Sequence, residues 1–423
     1  MRKDLNKFEW NNPSQWSLRK YNYFLVKFLV SILLMGVAFR LFSSRLIQVP
    51  PIVVVVEDGD QEYVDFVKSN STNGKCDIFT GEWVPNPAGP IYTNESCHVI
   101  ESHQNCITNG RPDSGYLYWR WKPRDCDIPR FNAKRFLKLM KNKTWAFIGD
   151  SISRNHVQSL LCILAKVEEG YMIYHDKEWR SKKWFFPSYN FTLSVIWSPF
   201  LIEAATFEDV NGVSTSEIEL NLDKIDTKWA DQYQSIDNMI ISGGQWWLKT
   251  AIYHENNTVM GCHYCPKRNL TELGFNYAYR KALQVVFNYI ATSNHKGLIL
   301  FRSATPAHFE NGEWFSGGTC NRTIPFKEGE ISLNELDVLL RDIELEEFEK
   351  VASLAAKNKV NFKLFDTTYL SLLRPDGHPG PYRHFYPFAK GKNVEVQNDC
   401  LHWCLPGPID SWSDLVMEML VNG

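Results

Sequence analysis

At 423 residues with 44% hydrophobic content, the chain can bury a large core, and its formal net charge of −2 leaves no global positive excess to attract nucleic acid. No internal repeat and no Gly/Ser or Pro linker interrupts it after about residue 75, which excludes a solenoid and favours one enzyme-sized unit. Aromatic residues reach 14%, with 15 Trp, and such side chains either fill a core or stack on the apolar faces of sugar rings.

A polar leader at 1–20 carries Arg2, Lys3, Lys7, Arg19 and Lys20 and precedes an apolar segment at 21–39. At about 1.5 Å per residue that segment spans a bilayer core of about 30 Å with help from its flanks, and Lys27 can snorkel to the interface. The basic leader favours a cytosolic N-terminus, although Arg40 and Arg45 follow the span and weaken the bias. A cleaved signal peptide is the alternative; the long leader and the lack of a small-x-small cleavage site favour an uncleaved anchor. Residues 40–74, with a Pro-Pro pair and a Val run, read as a stem. All ten Cys lie beyond the anchor, an even number that suits disulfides in an oxidising lumen. Seven N-x-S/T sequons also follow it, at Asn70, Asn94, Asn142, Asn190, Asn256, Asn269 and Asn321, whereas Asn12 is blocked by Pro13.

Residues 75–130 are rich in Cys, Pro, Gly and aromatics with little periodicity, which predicts a disulfide-stapled, loop-rich subregion. Beyond it, over 131–423, the texture changes. Short apolar runs predict strands at 145–148, 191–197, 238–242, 298–302 and 362–365, and amphipathic patterns predict helices at 152–166, 275–292, 336–357 and 411–421. Strands alternating with helices indicate an α/β domain around a mostly parallel sheet.

Ser151 closes Phe147-Ile148-Gly149-Asp150-Ser151, where a predicted strand gives way to a helix. Ligands gather at the carboxyl ends of strands in open α/β sheets, and helix N-terminal amides stabilise an oxyanion, so the position suits a nucleophile. The plain alternative is a helix cap. A serine hydroxyl needs an imidazole to take its proton and a carboxylate to fix the ring, and Asp399 with His402 supplies both within one tight loop. His156, five positions after Ser151, turns away from the nucleophile's face and reads as a packing or solvated histidine. His308 is the best rival base, although no carboxylate stands at comparable spacing. Trp246, Trp247 and Trp314 line an acceptor groove by stacking or else pack in the core. Cys262-His263-Tyr264-Cys265 could form half of a zinc site with Cys400, His402 and Cys404, but an oxidising lumen favours a disulfide, and no metal is expected.

The Cys-rich opening (CDIFTGEWV and YWRWKPRDCDIPRF), GDSISRNH, SGGQWW, FRSATPAHFENGEWFSGGTC and DCLHWCLPGPID together resemble the SGNH (GDSL-type) esterase superfamily and, within it, the plant trichome birefringence-like family of polysaccharide O-acetyltransferases. The match covers nearly the whole chain. The resemblance implies an SGNH-like three-layer α/β/α domain, a type II Golgi membrane protein, and acetyl transfer to a cell-wall hemicellulose or pectin by a triad of Ser151, His402 and Asp399. It also implies the pairs Cys76–Cys126, Cys97–Cys162, Cys106–Cys404 and Cys320–Cys400, a connectivity that spacing alone leaves open. The usual SGNH Gly and Asn blocks are not cleanly present, so Arg154, Asn155, Gly243 and Gly244 stand as oxyanion candidates beside the Ser151 amide. An acetyl donor is required, acetyl-CoA or another carrier; no phosphate-binding Gly loop for a CoA moiety is present, and a membrane protein that supplies the donor is an expected partner. The short chain, short stem and CHYC insertion point to xyloglucan side chains as acceptor, with mannan next. An acetylesterase would use the same residues, and a non-catalytic polysaccharide-binding protein would not need them.

Overall fold

A computed structural model describes residues 76–206, 216–389, 391 and 395–422. The expected leader, anchor and stem, with Asn70, lie outside the described residues. Among the described residues, no helix is long and apolar enough to cross a membrane.

The Cys-rich opening contributes two antiparallel strands, β1 (Gly81–Pro85) and β2 (Trp119–Pro123). They face each other through an edge-on Trp83–Trp121 pair, and Trp83 Nε1 donates to the main-chain oxygen of Leu370 at 2.8 Å. Outside this ribbon and two short 3-10 turns, residues 76–130 are irregular and stapled by disulfides, in line with the expected loop-rich subregion. Helix α1 (Ala133–Leu139), capped by Asn132, leads into β3 (Thr144–Gly149), and α2 (Ser151–Leu164) follows after one residue. Then come β4 (Tyr171–His175), β5 (Lys182–Phe186), β6 (Phe191–Trp197), β7 (Ile202–Ala205), β8 (Ile218–Ile225), a short α3 (Thr227–Ala230) and β9 (Asn238–Ser242). The chain continues through β10 (Ala251–Glu255), β11 (Thr258–His263), α4 (Gly274–Ala291), β12 (Leu298–Arg302), α5 (Glu335–Lys357), β13 (Asn361–Phe365), α6 (Thr368–Leu372) and α7 (Asp410–Val421).

The main sheet has the order β13-β12-β9-β3-β6-β5-β4. Its first five strands run parallel, while β5 and β4 add an antiparallel edge. Because β3 is covered on both faces, its apolar run divides by the two-residue period of a strand. Trp145 and Phe147 enter a core with α1, α2 and α7, and Ala146 and Ile148 enter a second core with α4 and α5. The result is a three-layer α/β/α domain. A smaller sheet, β11-β10-β8-β7, was not anticipated.

Five disulfides are present: Cys76–Cys126, Cys97–Cys162, Cys106–Cys404, Cys262–Cys265 and Cys320–Cys400. Among the described residues no group of His, Cys, Asp and Glu is arranged to hold a metal ion.

Candidate active site

The chain winds outward from β3 in both directions, to β6 on one side and β9 on the other, so the carboxyl end of β3 is the switch point where α/β sheets place ligands. Gly149 ends that strand because nothing larger fits: a Cβ there would lie 2.6 Å from Ser242 Oγ and 2.8 Å from Ser153 Oγ. Asp150 caps α2, its Oδ1 accepting the amide of Ile152 at 3.0 Å. Ser151 is the first helical residue and its hydroxyl is not the cap, which removes the plain alternative for this serine. Burial pushes the Asp150 carboxyl up from its ordinary range, and the neighbouring charges of Arg302 and His402 oppose that rise.

The second half of the site is the 399–404 loop. Asp399 is 5% exposed, and its carboxylate accepts the main-chain amides of Leu401 (3.2 Å) and His402 (3.0 Å). His402 Nδ1 lies 2.9 Å from Asp399 Oδ2, so Nδ1 carries the proton and the Nε2 lone pair is left able to accept one. Burial works against the charge of Asp399, yet His402, its two hydrogen bonds and Arg383 hold the carboxyl well below the usual range. Gly380 and Asp399 exchange main-chain hydrogen bonds at 2.8 and 3.0 Å, and Cys400 and Cys404 are bonded to Cys320 and Cys106.

Asn155 joins the two halves. Fully buried one turn after Ser151, it accepts the Trp403 amide at 2.7 Å and donates to the Trp403 carbonyl at 3.2 Å. Its amide is therefore engaged with the loop rather than open to an oxyanion. Arg154 lies over the Trp197 ring at 5.0 Å, with Nε buried and without a partner. Gly244 sits with φ of 153° beside Asp150, and a Cβ on Gly243 would strike the Tyr279 hydroxyl at 2.9 Å. Trp246 packs edge-on against Trp197 and Phe200, and Trp247 is buried between Phe200 and Tyr279. Trp314 is 48% exposed and stands edge-on to exposed Phe315. Its loop is tethered beside Asp399 by Cys320–Cys400. His308 is buried with both ring nitrogens engaged, which removes it as a rival base. His156 is also buried, ringed by Phe147, Phe365 and Trp412, so it packs rather than faces solvent.

Three groups were not anticipated. His103 sets its ring edge-on to His402 at 6.4 Å and lies 3.6 Å from Glu101, and burial, then the nearby His402, pulls its pKa down to about 4. Its signal was indirect: it stands three residues before Cys106, whose partner Cys404 stands two after His402. His378 donates from Nδ1 to the His402 carbonyl, and fully buried Arg302 lies under the site near Asp150 and Glu344. Neither carries a local motif.

Residues 128–419 match the PC-Esterase family, described as a GDSL/SGNH-like acyl-esterase family found in Pmr5 and Cas1p, and residues 74–127 match the PMR5 N-terminal domain. The chain is similar to trichome birefringence-like protein 25 of Arabidopsis thaliana, 63% identical over 84% of this chain and 79% of that protein. It is 51% identical to trichome birefringence-like protein 23 of the same organism over 99% of each. Xyloglucan O-acetyltransferase 1 of Populus trichocarpa is 44% identical over 82% of this chain and 81% of that protein.

Proposed function

The chain belongs to the GDSL/SGNH-like acyl-esterase family found in Pmr5 and Cas1p, and from that premise we propose that it is a polysaccharide O-acetyltransferase working through an acetyl-serine on Ser151. The observation that carries the reading is the pairing of His402 Nδ1 with buried, ionised Asp399 on a loop bonded to the helix that Ser151 begins. In the first half-reaction, Ser151 Oγ attacks the donor carbonyl while His402 Nε2 takes the hydroxyl proton. The donor's leaving group departs with that proton, and the acetyl ester remains on Ser151. In the second, His402 takes the proton of a sugar hydroxyl as its oxygen attacks the ester, and returns it to Ser151 Oγ when the acetyl leaves. Asp399 stays ionised and orients the ring throughout. The amides at the start of α2 and the Gly243-Gly244 turn supply the oxyanion donors in this reading.

Xyloglucan is the proposed acceptor, supported by relatives of that printed activity at 40–44% identity. Mannan or another wall polysaccharide is the second reading. The relatives at 50–63% identity carry names that state no acceptor and so leave it open. The donor is acetyl-CoA or another acetyl carrier, delivered by a membrane protein, and residues 21–39 anchor the chain as a type II Golgi protein. Protection of residues 76–423 from protease in sealed vesicles tests that orientation; digestion there would refute it.

Intact-mass analysis with donor alone should show one acetyl group mapping to Ser151. It should discharge when a xyloglucan oligosaccharide is added and persist with water. Discharge only by a mannan oligosaccharide would select the second acceptor. Full transfer by Ser151→Ala, or discharge to water at the transfer rate, would overturn the reading.

A further inference from the structure

His308 and His378 are both buried, at 7% and 4% exposure, and their ring nitrogens form a continuous chain of contacts that ends on the catalytic loop. His308 Nε2 lies 2.8 Å from the Leu372 carbonyl oxygen, His308 Nδ1 lies 2.7 Å from His378 Nε2, and His378 Nδ1 lies 2.7 Å from the His402 carbonyl oxygen. The His378 ring also stacks on Trp403, with centroids 4.3 Å apart and planes inclined by 22°.

The protons can be counted. A carbonyl oxygen only accepts, so His308 Nε2 and His378 Nδ1 must each carry hydrogen. Two neutral imidazoles have one N–H apiece, and both are then committed. The remaining nitrogens would face each other with bare lone pairs at 2.7 Å, a repulsive contact at hydrogen-bond distance. A third proton turns that contact into a charge-assisted N–H···N bond. We propose that His308 and His378 share three protons on four ring nitrogens, and that this cationic pair is a positioning device holding the His402 carbonyl, and with it the imidazole, against Asp399. The role rests on the reading of His402 as the general base.

The groups that face the pair act in both directions. Burial lowers both rings, His308 to about 4 and His378 well below its ordinary range, and each ring's charge opposes the other's, as does Arg111, which donates to the His378 carbonyl at 2.8 Å; the proposed third proton is held against these by the facing nitrogens. Asp376 favours the charge on His308 and Asp399 favours it on His378. Asp376 is bound by Arg374, so Asp399, buried and ionised, is the anion that the pair's charge complements. As pH rises the shared proton is lost and the two nitrogens repel. The His402 carbonyl then loses its fixed donor, and kcat falls on the alkaline side while KM holds.

The direct test is selective 15N-histidine NMR on the full chain. Three N–H protons across the two rings, one of them strongly downfield and shared, are expected; two N–H protons at neutral pH would overturn the proposal. Kinetically, His378→Phe keeps the stacked ring and loses the donor to His402, so kcat should fall about a hundredfold with KM nearly unchanged. His378→Asn, whose amide reaches the same carbonyl, should recover about tenfold of that loss. His308→Ala should lower kcat, and His308→Gln, whose amide donates to His378 Nε2 without an extra proton, should restore it and abolish the alkaline fall. Wild-type kcat in folded His378→Phe would also overturn the role. If the wild-type chain forms no acetyl-Ser151, the functional reading fails, and the proton count still decides the pair.

Discussion

Asn155 connects the helix that begins with Ser151 to the loop that carries His402 through the two ends of one amide. Replacing it with Ala leaves the Trp403 amide and carbonyl buried and unpaired, at about 1–3 kcal/mol for such a group. On the proposed mechanism, displacing the loop by a fraction of an ångström also separates His402 from Ser151. Asn155→Ala should therefore lower kcat roughly 10–100-fold, with a smaller change in KM and a melting point lower by a few degrees. Single-turnover acetylation of Ser151 beside a thermal melt checks both, and wild-type kcat would show that the amide positions nothing. Asp399 and His402 were readable as a contacting pair because they stand three positions apart in one short motif, and Ser151 was readable as the residue where a strand gives way to a helix. Asn155 was readable only as a polar group near Ser151, since its true partner lies 248 positions away. His378 and Arg302 were not readable at all: their roles come from burial and tertiary contact, which leave no periodic or spaced trace.

The 399–404 loop is the element on which the site depends, because it has no regular structure of its own and is held from outside. The Gly380–Asp399 bridge and Cys400–Cys320 fix one end, and Asn155, through Trp403, and Cys404–Cys106 fix the other. Cys76–Cys126, by contrast, ties the two ends of the β1–β2 ribbon region and includes no residue of the loop. Each disulfide contributes about 2–4 kcal/mol by constraining the unfolded chain, so Cys404→Ser and Cys76→Ser should both lower the melting point, Cys404→Ser the more because its bridge spans 298 residues against 50. They should differ in chemistry. Folded Cys404→Ser should lose about a hundredfold in kcat, and folded Cys76→Ser should keep most of it. Equal losses would mean that the loop is positioned without its clamp. The core strands β3, β6, β9 and β12 were legible as apolar runs because they are buried on both faces, and edge strand β13 was legible through Phe362, Leu364 and Phe365. The second sheet carried subtler signals that went unread. In β8, Ile218, Leu220 and Leu222 alternate with polar residues, and Asn256-Asn257, both at positive φ (49° and 60°), forms the turn between β10 and β11. Strand β4 left no signal, since all five of its residues are exposed.

Across the whole molecule, buried acids and buried histidines set opposing pH dependences of stability. Burial pushes Glu344 up to about 7 and Asp337 up to about 6, so the folded chain holds protons that the unfolded chain has released; these groups stabilise it at acid pH and lose that contribution as pH rises from about 4 to about 7. Burial pulls His156 down to about 3, so the unfolded chain binds a proton below about 6.5 that the folded chain refuses; this group costs stability as pH falls. The windows overlap and the signs differ. At 1.36 kcal/mol per pKa unit, Glu344 and His156 each shift stability by roughly 2 kcal/mol between pH 5 and pH 8, in opposite directions. His156→Phe removes one side of the balance while keeping aromatic packing against Phe147 and Trp412. Relative to wild type, it should gain roughly 2 kcal/mol on going from pH 8 to pH 5. Urea denaturation at both pH values under non-reducing conditions measures this, and a difference that stays constant, or shrinks at pH 5, would mean that the buried imidazole does not refuse its proton in the folded chain.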